Sequence, residues 1–520
     1  MKIHTRADNS TNRSLWGACA NIYWILLFIV AFAVFLRFFG LANQSLWLDE
    51  AYQVKVSGSN SWSSIIQLCI NTDTHPPLYY LLQHLWMILF GQSEAAVRSL
   101  SACLGIISVL LGYLVGRELF NRKIGLVASF LLAISHSAIS MSQEVRPYSL
   151  LLTLTLLSFL FFIKILRADR ATKTLTLFYV LSNLLLCYTH IYGIFMLGSQ
   201  VLYFLLFRRT YPKAQLALGV SYVSTLIGLS PWIYVMFTST FKQGIHGLDW
   251  LTEPTFGSVF LTLLWMAGAF GVAFVLYLFF AVAGILQFTL NQRKQRVGGL
   301  LQVTRHMNVK VSIMEPRTAL LLTWFLFPLI LSLVFSFAVR PIFYDRYLIG
   351  IIPAIYLLVA HGMDNISSTI SSYTKQSKVV VLQAVVVLIA ILAVPPLADY
   401  YTQPHKEQWR EVVRFIESES KLTDVIVIYP DGYRTPFDYY YRGDPGMILD
   451  SQQVLGNDDA TSTRYRLWLA LIAAESDAPI KKELFSRYGN DTLILQKEFF
   501  AITVYLFDLP LKNGDLTPYN

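Results

Sequence analysis

Over most of its length the chain alternates between long apolar runs and short polar interruptions. A run of ~20 apolar residues with few charges is long enough to cross the hydrocarbon core of a bilayer as a helix. The pattern predicts eleven spans, near 22–40, 95–116, 124–141, 148–166, 174–190, 191–207, 214–237, 258–290, 318–338, 347–363 and 379–396. The eighth is too long for one straight crossing and is expected to be tilted, broken or in two pieces. The first follows a short tail, residues 1–21. It is too long for a signal-peptide core, and no small-residue cleavage site follows it, so it reads as an uncleaved span.

Two stretches depart from this rhythm. The segment 41–94 is long for a connection between spans, and residues 77–90 within it are apolar and aromatic but too short to cross. A helix lying in the interface fits them, with Trp47, Trp62, Tyr79, Tyr80 and Trp86 as the aromatic residues expected at that depth. Residues 399–520 lack spanning runs and read as a small soluble domain. Trp409, Val412, Val413 and Ile416 recur at helical spacing within 406–419. Residues 424–429, 466–472 and 501–507 read as strands and 479–488 as a helix, which together suggest an α/β domain. The expected architecture is therefore an all-α polytopic membrane domain, 22–398, followed by an extracytoplasmic α/β domain. No internal repeat or low-complexity linker is visible.

Composition agrees. The chain is 55% hydrophobic and 14% charged, with a mean hydropathy of +0.50, whereas soluble domains are about a quarter charged. The net charge of +9 is unevenly placed, because from Asp399 onward 13 Lys and Arg face 19 Asp and Glu. The positive excess lies in alternate short loops, such as Arg117, Arg122 and Lys123, or Arg167, Arg170 and Lys173. The Lys/Arg rule makes those loops cytoplasmic, with the N-terminus inside and, after an odd number of spans, the C-terminal domain outside. This placement argues against nucleic acid as a partner. The cysteines, Cys19, Cys69, Cys103 and Cys187, form no CxxC pair and imply neither a zinc framework nor a disulfide scaffold.

Candidate chemistry collects on the outer side. Asp49 and Glu50, in Trp47-Leu48-Asp49-Glu50-Ala51-Tyr52, are adjacent carboxylates in an apolar setting and candidates for a general base. A solvated acidic pair at a helix start is the plainer reading. His75 precedes Pro76 and Pro77 at the head of the interfacial helix, where it either contacts substrate or caps the helix. Ser142-Gln143-Glu144-Val145-Arg146-Pro147-Tyr148 holds Glu144 and Arg146 at the surface, as a phosphate clamp or as part of a structural ion pair. Arg340, Asp345 and Arg346 lie between spans nine and ten; the arginines either attract a lipid-anchored phosphate or snorkel. His190 sits at another outer turn, and the 238–257 loop adds His246, Asp249 and Glu253 as weaker signals. Loops far apart in sequence thus place polar groups on one face, which suggests a site assembled from several span ends.

In this order the motifs Leu-Trp-Leu-Asp49-Glu50-Ala-Tyr, His75-Pro-Pro-Leu-Tyr-Tyr, Ser-Gln-Glu144-Val-Arg146-Pro-Tyr and Asp345-Arg346-Tyr resemble the GT-C-fold glycosyltransferases. The resemblance is to the branch with protein O-mannosyltransferases, the lipid A aminoarabinose transferase and the rhizobial core transferases, and it covers roughly residues 20–400. It implies a polyprenyl-phosphate sugar donor, with a lipid, glycan or protein acceptor. It also implies Asp49 as base with Glu50 as second candidate, and Arg146 and Arg346, with Arg340, at the donor phosphate. His75, Glu144, Tyr148, His190 and Asp345 would line the substrate site. The expected reaction is single displacement with inversion, needing one base and a stabilised leaving group and no second carboxylate acid. No cofactor is expected, although the Asp49–Glu50 pair could take a divalent cation if further oxygen ligands existed. The compact chain suggests an undecaprenyl carrier and a bacterial inner (plasma) membrane. Rival readings are a polytopic transporter or flippase, in which repeats and mid-depth polar groups would be expected, and a diphosphate-linked glycan ligase.

Overall fold

The computed structural model describes the backbone of residues 9–59, 61–72, 75–243, 251–268, 271–297, 300–311, 315–374, 376–455, 463–472 and 478–511. His246 and Asp249 of the weak outer loop, and the side chain of Cys19, lie outside what is described. The chain forms two compact units, one from Met1–Phe39, Asn60–Leu82 and Arg98–Asp399, the other from Gly40–Ser59, Gln83–Val97 and Tyr400–Asn520.

The first unit is built from apolar helices. Among the described residues, six are long and apolar enough to cross a membrane, or eight if each of two bent pairs is one span. The chain is a multi-pass membrane protein. Each of the eleven predicted runs contains a helix, but Lys173–Thr189 and Tyr192–Phe207, with 17 and 16 residues, are shorter than the usual span, so the count of eleven does not follow from helix length. Helix Tyr148–Arg167 is the packed centre, with 83% of its apolar window buried, whereas Lys378–Thr402 is only 11% buried. Exposed Leu216, Val223, Leu226 and Ile227 on the helix Pro212–Thr238 make the same point: the outer solvent of this unit is lipid.

Two runs are broken, and the breaks have local causes. Residues 122–142 form Arg122–Ile134 and His136–Ser142, bent by 60°. At the break Arg37 donates from its two terminal guanidinium nitrogens to Leu132 O and Ala133 O, both at 3.1 Å. Carbonyls freed by the interruption are thereby satisfied inside the protein. Ser135 caps the second piece by accepting from Ala138 N at 3.2 Å. The eighth run divides into Phe256–Ala267 and Val272–Ile285, where Gly268 ends the first piece at φ +61°, a left-handed conformation that glycine adopts without strain. The run stops as helix at Ile285, and residues expected to continue it enter an antiparallel hairpin, β1 (Leu286–Val297) with β2 (Leu300–Val311).

Close helix packing uses small residues. A Cβ on Gly362 would lie 1.8 Å from Phe280 O, and one on Gly284 2.3 Å from Leu358 O. Helices Val272–Ile285 and Ile352–Thr374 therefore meet backbone to backbone. Elsewhere Trp324 stacks on Phe159 with centroids 3.6 Å apart and donates to Gly350 O at 2.9 Å.

The second unit holds a four-stranded sheet. Its strands are β3 (Val425–Tyr429), β4 (Thr463–Ile472), β5 (Leu493–Phe499) and β6 (Ile502–Leu511), in the order β3-β4-β6-β5. The β3–β4 pair is parallel and the others antiparallel. Alternating residues face opposite sides. Ile426, Ile428, Trp468 and Val504 pack with Trp409 and Ile416 of helix Trp409–Glu419. Val427, Leu469 and Phe507 pack with Ile480 and Leu484 of helix Pro479–Tyr488. The strands at 424–429, 466–472 and 501–507 and the helix at 479–488 are present; β5 is an addition, an edge strand whose mostly exposed residues leave no apolar period to read.

This unit also holds parts of the first long loop. Arg410 donates to Ala42 O at 3.0 Å and Asn43 O at 2.8 Å and pairs with Glu94 at 2.5 Å. Tyr440 OH accepts from Leu46 N at 2.6 Å.

Candidate active site

In the first unit the structure gathers most of the predicted residues around one ring. Tyr347, 6% exposed, has ring centroids of His190 at 4.8 Å, His75 at 6.1 Å, Tyr148 at 6.2 Å, Tyr192 at 5.5 Å and Tyr344 at 5.3 Å. His75 and His190 lie 4.9 Å apart. These residues come from the turn before helix Leu78–Phe90, the start of Tyr148–Arg167, the turn between Lys173–Thr189 and Tyr192–Phe207, and the 3₁₀ turn Asp345–Ile351.

Each contributor is held by its neighbours. His190 Nδ1 accepts from Tyr192 N at 3.2 Å, so the neutral ring carries its proton on Nε2 as a donor. Tyr192 OH donates to Ile342 O at 2.7 Å, and Ser336 Oγ accepts from Ile342 N and Phe343 N at 3.0 and 2.9 Å, which fixes the approach to Asp345. Ser101 Oγ donates to Arg146 O at 3.4 Å and lies 2.7 Å from Tyr79 OH. With one hydroxyl proton on Ser101, Tyr79 is the donor to it. Gln143 Nε2 donates to Arg37 O at 3.1 Å and Phe39 O at 2.9 Å, tying the Glu144–Arg146 turn to the end of the first helix.

The charges lie beside this aromatic wall. Arg346 stands 3.8 Å from Glu144 and 5.6 Å from the Tyr344 ring, with Asp345 Oδ1 accepting from Arg346 N at 2.7 Å. The Arg146 guanidinium lies 5.8 Å from the Tyr148 ring. Glu144 and Arg146 are buried, and Glu144 pairs with Arg346 of a neighbouring loop, as the ion-pair reading expected. Arg340 follows helix Pro316–Ala338, half-buried, its N–H bonded to Phe335 O at 3.2 Å.

Asp49 and Glu50 belong to the second unit, in the first turn of helix Leu48–Ser57. There they differ sharply. Glu50 is fully buried with Lys406 Nζ 3.1 Å from its carboxylate, whereas Asp49 is half-buried. Glu407, next to Lys406, accepts from Trp409 Nε1 at 2.7 Å. Burial pushes its carboxyl above the ordinary glutamate value. Bonds from Trp409 and the Leu48 N–H oppose the rise, and the charge of Asp49 adds to it. Lys406 and Glu407 were not singled out in the sequence, where they are two charges in a polar tail, and neither were Tyr192 and Tyr347 as site residues. Their only signal was adjacency to His190 and Arg346. Among the described residues no three His, Cys, Asp or Glu side chains are grouped to hold a metal ion.

The family described as dolichyl-phosphate-mannose-protein mannosyltransferase matches residues 74–235, the stretch that contains His75, Glu144, Arg146, Tyr148 and His190. ArnT from Cupriavidus metallidurans in the apo state superposes with a TM-score of 0.61 at 14% identity, covering 94% of this chain and 98% of that one. The chain has the GT-C fold. The same ArnT bound to undecaprenyl phosphate gives 0.57 at 13% identity, over 93% and 98% of the two chains. The oligosaccharyltransferase AglB from Archaeoglobus fulgidus, in complex with an inhibitory peptide and a dolichol-phosphate, gives 0.50 at 12% identity, over 94% and 74%. A comparison with curated protein sequences yields no significant match.

Proposed function

We propose that this chain is an integral-membrane glycosyltransferase that moves a sugar from a polyprenyl-phosphate donor to an envelope lipid, glycan or protein. The observation that carries the reading is the convergence of His75, Glu144, Arg146, His190 and Arg346 around Tyr347 from separate helix ends. A wall of aromatic rings beside guanidinium groups suits a sugar ring attached to a phosphate. The likeness to ArnT, which has been captured with undecaprenyl phosphate, supports an undecaprenyl carrier.

In the proposed reaction an acceptor oxygen attacks the anomeric carbon as the bond from that carbon to the phosphate oxygen breaks. The acceptor proton passes to a carboxylate, and the polyprenyl phosphate leaves with the bonding electrons. Arg346 and Arg146 are assigned to the charge that develops on the leaving phosphate. His190, with its Nε2 proton, and His75 are assigned to sugar hydroxyls. Asp49 is assigned as the base, because Glu50 is committed to Lys406 in a buried ion pair. No metal or organic cofactor has a part in this scheme. The chain is assigned to the plasma (inner) membrane with the N-terminus cytoplasmic and residues 399–520 outside, following the loop charges.

The test is donor turnover by the full chain in membranes, with a panel of radiolabelled polyprenyl-phosphate sugars and an envelope extract as acceptor. One donor is expected to label the extract, and Asp49→Asn to lower turnover by about 10²–10⁴ with the protein still folded. Arg346→Ala is expected to lower kcat/KM for the donor by about 10²–10³, the scale of losing one transition-state donor. Undiminished labelling by the Asp49→Asn protein removes Asp49 as base, and no cleavage of any donor by the intact chain counts against the transferase.

A further inference from the structure

Helices that end at the Tyr347 cluster border a cavity at their other ends. Its volume is about 350 Å³, at the small end of the range for ligand sites. Tyr148 opens the helix whose last residue, Arg167, lines the cavity. The two places are therefore roughly 30 Å apart along that 20-residue helix. The floor is buried and apolar, with Leu119, Ile163, Leu166 and Leu320. The rim carries Arg167 and Arg317, whose side chains are 40% and 50% exposed.

The rim cations are only partly engaged within the protein. Arg167 donates to Leu119 O at 3.3 Å and stands 3.7 Å from Glu118. Arg317 stands 3.8 Å from Glu315, which also lines the cavity and accepts from Thr318 Oγ1 at 3.2 Å. Each guanidinium has five donor hydrogens, and contacts of this length leave most of them for another acceptor. The lining thus holds two arginines against one glutamate. Helix Pro316–Ala338 begins at this rim, which adds the positive end of its dipole.

We infer that this cavity binds the phosphate headgroup of an anionic membrane lipid. A guanidinium pair over an apolar floor, at the ends of spanning helices, matches a molecule with a phosphate at one end and hydrocarbon at the other. The phosphate sits between Arg167 and Arg317, and the stem of the lipid covers Ile163, Leu166 and Leu320. Inorganic phosphate satisfies the arginines but leaves the floor uncovered. The inference does not rest on the transferase reading, because binding is measured without donor turnover.

The experiment is native mass spectrometry of the purified full chain titrated with dioleoylphosphatidylglycerol, with dioleoylphosphatidylcholine and inorganic phosphate as separate arms. The wild-type chain is expected to retain phosphatidylglycerol in preference to phosphatidylcholine. Arg167→Gln with Arg317→Gln is expected to weaken that retention about tenfold or more, as two cations facing one headgroup are lost. Replacement of both by lysine is expected to keep most of it. Arg317→Gln alone, at a half-exposed residue, is the second variant should the double one fail to fold, and is expected to weaken retention several-fold. If retention falls in Arg346→Gln and persists in the Arg167/Arg317 variants, the lipid is held at the Tyr347 cluster and the inference is overturned. Inorganic phosphate that binds as tightly as the lipid overturns the lipid assignment as well.

Discussion

Replacing Lys406 with methionine keeps an unbranched apolar stem of similar length and removes the cation 3.1 Å from Glu50. The two side chains are 9% and 0% exposed, so solvent screens the pair little. Removing one partner of such a pair leaves a buried carboxylate without its cation, at a cost of about 3–5 kcal/mol. For a folding unit of 150–250 residues this corresponds to a fall in Tm of roughly 6–20 °C. The assay is thermal unfolding of the purified full chain in detergent, followed by tryptophan fluorescence, with Trp409 and Trp468 buried in the same unit as the pair. The double variant Glu50→Gln, Lys406→Met removes both charges and is expected to recover most of the loss, because a buried pair contributes little beyond neutral groups of similar volume. Asp49→Asn, one residue away but half-buried, is expected to melt near the wild-type temperature while losing turnover. A Lys406→Met protein that melts with the wild type, with no benefit from the second substitution, would falsify the view that Glu50 is structural and Asp49 reactive.

Two further outcomes follow from the packing and the titrating groups. Gly362→Ala would place a Cβ 1.8 Å from Phe280 O, so the two helices must separate; a loss of about 3 kcal/mol or more is expected and is read as aggregation in size-exclusion chromatography. The pH dependence has two limbs of opposite sign. Burial holds the Glu407 carboxyl above its ordinary value, so its contribution to stability is present below the unfolded value and is lost as pH rises through the folded one. For Glu411 burial is outweighed by the bonds from Ser45 and Arg410, which hold its carboxyl below the ordinary value. Its contribution is therefore present above the unfolded value and is lost as pH falls through the folded one. Glu407→Gln is expected to flatten a stability–pH profile just above the ordinary glutamate value and Glu411→Gln just below it; the reverse assignment would contradict both.

The helices were legible because lipid imposes a local code, an unbroken apolar run of set length, that any window of sequence displays. The strands β3, β4 and β6 were legible for the same local reason, since their runs are buried on both faces. Edge strand β5 was not, because exposure removes the pattern. The break at residue 135 was not, because the group that makes it affordable is Arg37, about a hundred residues away in the chain.

The candidate site divides in the same way. Sequence singled out Asp49, Glu50, His75, Glu144, Arg146, His190 and Arg346 as candidates, because charged and imidazole groups beside apolar spans are costly and stand out. It could not tell Asp49 from Glu50, which differ by one position and share their neighbours. The difference lies in Glu50, which is fully buried and pairs with Lys406, 356 residues later. Nor could it show that Tyr347 and Tyr192 stand among the histidines, since tyrosines at span ends are ordinary and only the packing of helix ends decides which rings meet. Solvent preference is written residue by residue and survives in one dimension. Pairing between distant groups is a property of distances, and those exist only once the chain has folded.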